Sequence, residues 1–171
     1  MSVIKHKAQR VAILIDVQNL YHSAKNLYNA RVNFKEVLKA AVAGRQLIRA
    51  VAYAIRTESG DEKTFLEALA KIGIEPKIKD LQIFPGGVKK ADWDVGIAMD
   101  AVKLGNSIDA LVLMSGDGDF IPLIDYLHNV NGIQVEVAAF GRSSSQKLKE
   151  VADDFIDLGG EEGAFLMKIK G

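Results

Sequence analysis

Five aspartates fall where apolar strands end or helices begin. Asp16 closes the run VAILID, Asp117 and Asp119 follow ALVLMSG, and Asp94 and Asp100 lie in KKADWDVGIAMD. A carboxylate at the end of a buried parallel strand points into the crevice where open α/β sheets bind ligands. Several carboxylates meeting there cannot all stay ionised without a cation. An all-oxygen site suits a hard divalent ion, Mg²⁺ or Mn²⁺, which leaves positions for water and for substrate phosphate oxygens. The chemistry this points to is metal-assisted phosphodiester hydrolysis, with a bound water deprotonated and aimed at phosphorus. Asn19, three residues beyond Asp16, is placed to orient water or substrate, and equally to cap a helix. Ser115 is placed to contact phosphate or to tighten its turn.

The same spacings exclude other chemistries. A dinucleotide or P-loop site needs glycines after the first strand, whereas this turn reads Asp16-Val17-Gln18-Asn19. An EF-hand begun at Asp117 would need glycine where Pro122 stands and glutamate where His128 stands. His6, His22 and His128 have no ligand spacing, and there is no cysteine, so zinc has no support. A haloacid-dehalogenase-like phosphatase would want a second aspartate where Gln18 stands.

The elements that must position these residues alternate. VAILI (11–15), LIRAVAYAI (47–55), ALVLM (110–114) and VEVAA (135–139) read as strands buried on both faces, with a weaker strand IEPKIK at 74–79. Helical spacing fills 18–29, 34–43, 61–72, 93–104, 119–130 and 145–153. The alternation predicts an α/β fold in three layers, a mainly parallel sheet between helices joined by right-handed crossovers. With the first and fourth strands adjacent, Asp16 and Asp117 face each other at the switch point, and Asp94 reaches it from a helix start. Residues 1–9 are an N-terminal extension, 10–158 the domain, and 159–171 a tail that is expected to fray or to lie against a neighbour, in a homodimer for example.

The 171 residues fit one domain, and 49% are hydrophobic. Lysine plus arginine equals aspartate plus glutamate at 22 each, so a polyanion partner must be held by a local patch rather than by net charge. The basic opening precedes too few apolar residues for a signal peptide or a membrane span, and a cytoplasmic location is expected.

DVQNL after the first strand, KKADWDVGIAMDA before the fourth and SGDGDFIPLI after it resemble the signatures of NYN domains, in the LabA-like branch of the PIN-like nuclease superfamily. The resemblance covers residues 10 to 158. It implies a PIN-like, Rossmann-like α/β/α fold of five to six strands in the order 3-2-1-4-5. It also implies a site of Asp16, Asn19, Asp94, Asp117 and Asp119, the four aspartates holding the metal. Asp100 and Asp92 are additional acidic candidates; six residues along a helix turn Asp100 by roughly 240° from Asp94, and Asp92 suits a helix cap. Where the family usually has glycine and a small apolar residue before its aspartate, this chain has Ala91, Asp92 and Trp93.

Lys89, Lys90, Arg56, Thr57, Ser115 and Arg142 are candidates for holding RNA phosphates, each with a solvated or structural role as its alternative. Trp93 and Phe120 suit base stacking or, better, burial beside a helix start. The function expected is a divalent-metal-dependent ribonuclease acting on single-stranded RNA, the substrate class coming from the resemblance. The alternative is a non-catalytic RNA-binding or regulatory protein of the LabA type that keeps the acidic pocket.

Overall fold

A computed structural model describes residues 3–57, 59–60, 62–87, 89–160 and 163–169; the side chains of Lys89 and Lys90, and Asp61 at the start of the expected helix 61–72, lie outside the described residues. Six parallel strands form the central sheet: β1 (Arg10–Asp16), β2 (Gln46–Arg56), β3 (Glu75–Asp80), β4 (Ala110–Met114), β5 (Gln134–Ala139) and β6 (Asp154–Asp157), in the order β3-β2-β1-β4-β5-β6. The expected 3-2-1-4-5 arrangement is present, extended by one strand. Val11 to Ile15 and Ala110 to Met114 are fully buried because β1 and β4 are central and covered on both faces.

Helices α1 (Val17–Tyr28) and α2 (Phe34–Val42) link β1 to β2, and α3 (Glu62–Lys71) links β2 to β3. Helix α4 (Asp94–Leu104) precedes β4, α5 (Ile121–Tyr126) follows it, and α6 (Gln146–Val151) precedes β6. The strand order reverses between β1 and β4, which pair from Val11↔Ala110 to Ile15↔Met114. One residue further on, Asp16 and Ser115 emerge side by side at the edge where such sheets bind ligands.

Three features differ from the expectation. The helix expected over 119–130 is a 3₁₀ turn at Gly118–Phe120, then α5, then a π-helical turn at Leu127–Asn131. Asn129, Val130 and Asn131 are weak helix formers, and the backbone leaves through a left-handed Gly132 with φ of 65°. Strand β6 escapes the periodicity because its sequence DFID puts two aspartates in four residues at the sheet edge. The tail does not fray over its described part: Leu166–Lys168 pairs antiparallel with Ala30–Val32 of the same chain, and Asn33 N–H donates to Phe165 C=O at 2.8 Å.

At the opposite edge, the Arg45 guanidinium and the Glu136 carboxylate form a fully buried pair with contacts of 2.8 and 3.0 Å. Lys5 of the N-terminal extension reaches Glu136 at 3.4 Å and Asp154 at 3.2 Å.

Candidate metal centre

The turn after β1 is built by Asp16. Its Oδ1 accepts the Asn19 N–H at 3.3 Å, so Asp16 is the N-cap of α1, and Asn19 is not. Asn19 instead turns its side chain across the switch point, where its Oδ1 accepts the Gly116 N–H at 3.0 Å. Ser115, fully buried, donates its hydroxyl to Asp16 Oδ2 at 3.0 Å and accepts the Asp117 N–H at 3.3 Å. One hydroxyl thus ties the ends of β1 and β4 together. Asp117 caps the following 3₁₀ turn by accepting the Asp119 N–H at 2.9 Å.

Gly116 is required for a close approach. A Cβ there would stand 2.5 Å from Ser144 Oγ and 3.0 Å from Ser144 Cα, while its C=O accepts the Ser145 N–H at 3.0 Å. The SGDGD loop can pack against the segment before α6 only without a side chain at this position.

Asp94 arrives on the first turn of α4, with its N–H accepted by Asp92 Oδ1 at 3.1 Å. Asp94, Asp117 and Asp119 each present a carboxylate oxygen, and the three oxygens lie within 4.8 Å of one another. Asp16 falls outside this tight group but stands close enough to act on it electrostatically. Burial raises the Asp94 pKa to about 6, reinforced by the charges of Asp117, Asp92, Asp16 and Asp119. Burial also raises Asp16, against the lowering effect of its hydrogen bonds from Asn19 and Ser115. Among the described residues, no lysine, arginine or histidine forms an ion pair with any of these four carboxylates. Three converging oxygen donors with unrelieved repulsion fit a hard divalent cation, and nothing in the donor set suits a soft metal.

The other candidates are dispersed. Asp100 points away from the group: its Oδ2 accepts from Tyr53 Oη and from Lys77 Nζ, both at 2.7 Å, and despite burial these bonds hold its pKa below the usual value. Asp92 is exposed and serves as the turn before α4. Arg56 stands 3.9 Å from Asp80, and Thr57 is engaged by Glu62 through both its N–H and its hydroxyl. Arg142 is exposed and lies over the Tyr28 ring at 5.8 Å. The side chains of Lys89 and Lys90 lie outside the described residues. Phe120 is 2% exposed, which removes it as a stacking platform, while Trp93 is half-buried with its Nε1–H donated to Ala54 C=O at 2.8 Å.

Sequence reasoning missed Tyr53, Lys77 and Lys79, which grip α4 from β2 and β3. The signal was the alternation of Lys77 and Lys79 in an edge strand, which places both on one face.

A model of the NYN domain matches residues 10–159. The chain belongs to the NYN domain family. NYN domains form part of the PIN-like nuclease superfamily, whose members generally use divalent metals, and NYN proteins generally bind RNA. This NYN chain is 25% identical over 167 residues to the low amplitude and bright protein LabA of Synechococcus elongatus, covering 89% of this chain and 85% of LabA. It is also similar to a crystal structure of a protein of unknown function from Vibrio parahaemolyticus, with a TM-score of 0.86 and 30% identity over 96% of this chain and 100% of the other. Among the described residues, no helix of this NYN domain is long and apolar enough to cross a membrane.

Proposed function

We propose that this NYN domain is a divalent-metal-dependent ribonuclease that hydrolyses phosphodiester bonds in single-stranded RNA. The observation that carries the reading is the meeting of Asp94, Asp117 and Asp119 within 4.8 Å at the switch point of the sheet. These three would hold Mg²⁺ or Mn²⁺, with Asp16 beside them. When bound, such an ion makes water nucleophilic at neutral pH and neutralises charge on the phosphate oxygens.

The chain's own residues supply the positioning. Ser115 and the Asn19 N–H fix both oxygens of Asp16, and Asp117 is fixed by its cap to Asp119. Asn19 uses its carbonyl on Gly116, which leaves its NH₂ group to donate to a phosphate oxygen. Arg142, exposed two residues before the Ser144 that packs on Gly116, would be a candidate to hold the backbone further along the strand.

A second reading, RNA binding without turnover in a regulatory role, is supported by the likeness to LabA along most of both chains. One experiment separates the two. Labelled single-stranded RNA is incubated with purified protein, with Mn²⁺ or EDTA, beside a D16N/D117N variant prepared identically. The ribonuclease reading expects Mn²⁺-dependent cleavage that the variant loses while keeping its RNA affinity. RNA bound but never cut supports the regulatory reading, and equal cleavage by both preparations contradicts the enzymatic one.

A further inference from the structure

Asp16 ends β1, and Asp117 and Asp119 lie in the capped turn after β4, but Asp94 comes from the first turn of α4, whose start must itself be placed. Trp93, the single tryptophan of the chain, immediately precedes it. The indole Nε1–H donates to Ala54 C=O on β2 at 2.8 Å, and its ring packs on Tyr53 with centroids 5.2 Å apart. Lys79 of β3 covers the ring, with Nζ 4.5 Å from its centroid, and also donates to Asp92 C=O at 2.6 Å. The seat for this ring is made by Gly96: a Cβ there would stand 2.6 Å from Trp93 Cε3 and 3.0 Å from Cζ3. Asp92 and Trp93, just before Asp94, are therefore joined to two strands, and the Trp93 ring packs on Gly96 just after it.

We infer that Trp93, seated in the notch left by Gly96 and covered by Lys79, is a positioning residue that sets where Asp94 meets Asp117 and Asp119. The inference rests on the metal-binding reading of Asp94. A ring that merely filled the core would affect folding alone. A ring that aims the carboxylate sets metal affinity, because the oxygens must converge before the ion arrives.

The test is calorimetric titration of the purified full chain with Mn²⁺, with thermal melts on the same samples, for wild type, W93A, G96A and the W93A/G96A double variant. G96A is the decisive single change, since alanine favours a helix more than glycine does while its methyl invades the ring's seat. Expected results are saturable binding by wild type, affinity weakened roughly tenfold in W93A and in G96A, and a double variant no weaker than W93A alone, since the methyl then meets empty space. Folded G96A and W93A proteins with wild-type affinity, or losses that simply add in the double variant, would overturn the positioning role. Absence of saturable Mn²⁺ binding by wild type would instead overturn the metal reading on which it stands.

Discussion

At the scale of single residues, Asp94 is the most strained group in the site. Its folded pKa of about 6 exceeds its unfolded value because burial, Asp117, Asp92, Asp16 and Asp119 all oppose its charge. A raised carboxylate pKa contributes stability below the unfolded value and loses it as pH rises through the folded value. The metal-free protein is therefore expected to lose stability at this site as pH rises from about 4 to about 6. Asp94→Asn should then raise the metal-free Tm at pH 7.5; discounted for the solvent reaching the group, the gain is on the order of 1 kcal/mol, or about 2–4 °C. The same variant should lose Mn²⁺ binding, a trade of function for stability. Conversely, the rise in Tm that Mn²⁺ gives the wild type should be small below pH 6 and grow above it, because protons and metal compete for Asp94. A scanning-fluorimetry series across pH, with and without Mn²⁺, checks both; a flat metal effect across that range contradicts the assignment. The carboxylate ends of VAILID and ALVLMSGDGD were legible in the sequence because position relative to a buried strand fixes where a side chain emerges. The bridging role of Ser115 was not, since a buried serine after a strand reads equally as phosphate contact or turn.

At the scale of elements, the loop after β4 and the start of α4 are held by close packing together with individual hydrogen bonds from neighbouring segments. Gly116→Val should push the SGDGD loop off Ser144 and weaken Mn²⁺ binding far more than it lowers Tm, measurable by titration and melting of the same sample. A variant with unchanged metal affinity would contradict the packing argument. The strand formed by Leu166–Lys168 covers the pair partner Ala30–Val32, of which Ala30 and Val32 are buried. Leu166→Asp should lower stability by about 1–2 kcal/mol through lost apolar burial, read from denaturant unfolding, without altering metal affinity. Elements with clean periodicity, β1, β2, β4, β5 and α1 to α4, were visible in the chain. Strand β6 and the short pair made by the tail were not, because three- and four-residue strands with charged members take their structure from the partner they lie against.

At the scale of the molecule, charge is sorted between the two edges of the sheet although the net charge is zero. Toward the N-terminal ends of the strands, charges are paired: Arg10 with Asp109, and buried Arg45 with Glu136 of β5, joined by Lys5. Burial alone would raise Glu136, but the bonds from Arg45 and Gln134 and the charges of Arg45 and Lys5 bring it below its ordinary value. Its contribution is therefore present at neutral pH and lost as pH falls through that lowered value. Arg45→Met, which leaves buried Glu136 with only Lys5 and Gln134 as partners, should cost up to about 3–5 kcal/mol in equilibrium unfolding. Beyond the strand ends, by contrast, the carboxylates of Asp94, Asp117 and Asp119 meet without a counter-charge among the described residues. This division of labour was only half legible: motif order gave the acidic edge, but nothing local in the sequence links Arg45 to Glu136, 91 residues away.

The most direct measurement is Mn²⁺ titration of the purified protein followed by the electron paramagnetic resonance of free Mn²⁺, for wild type, Asp117→Asn and Asp109→Asn. Asparagine at 117 keeps the oxygen that caps Asp119, and Asp109 lies at the paired edge beside Arg10. Saturable binding is expected for wild type and Asp109→Asn, and its loss for Asp117→Asn. No saturable binding by wild type, or equal binding by all three, would contradict the metal assignment.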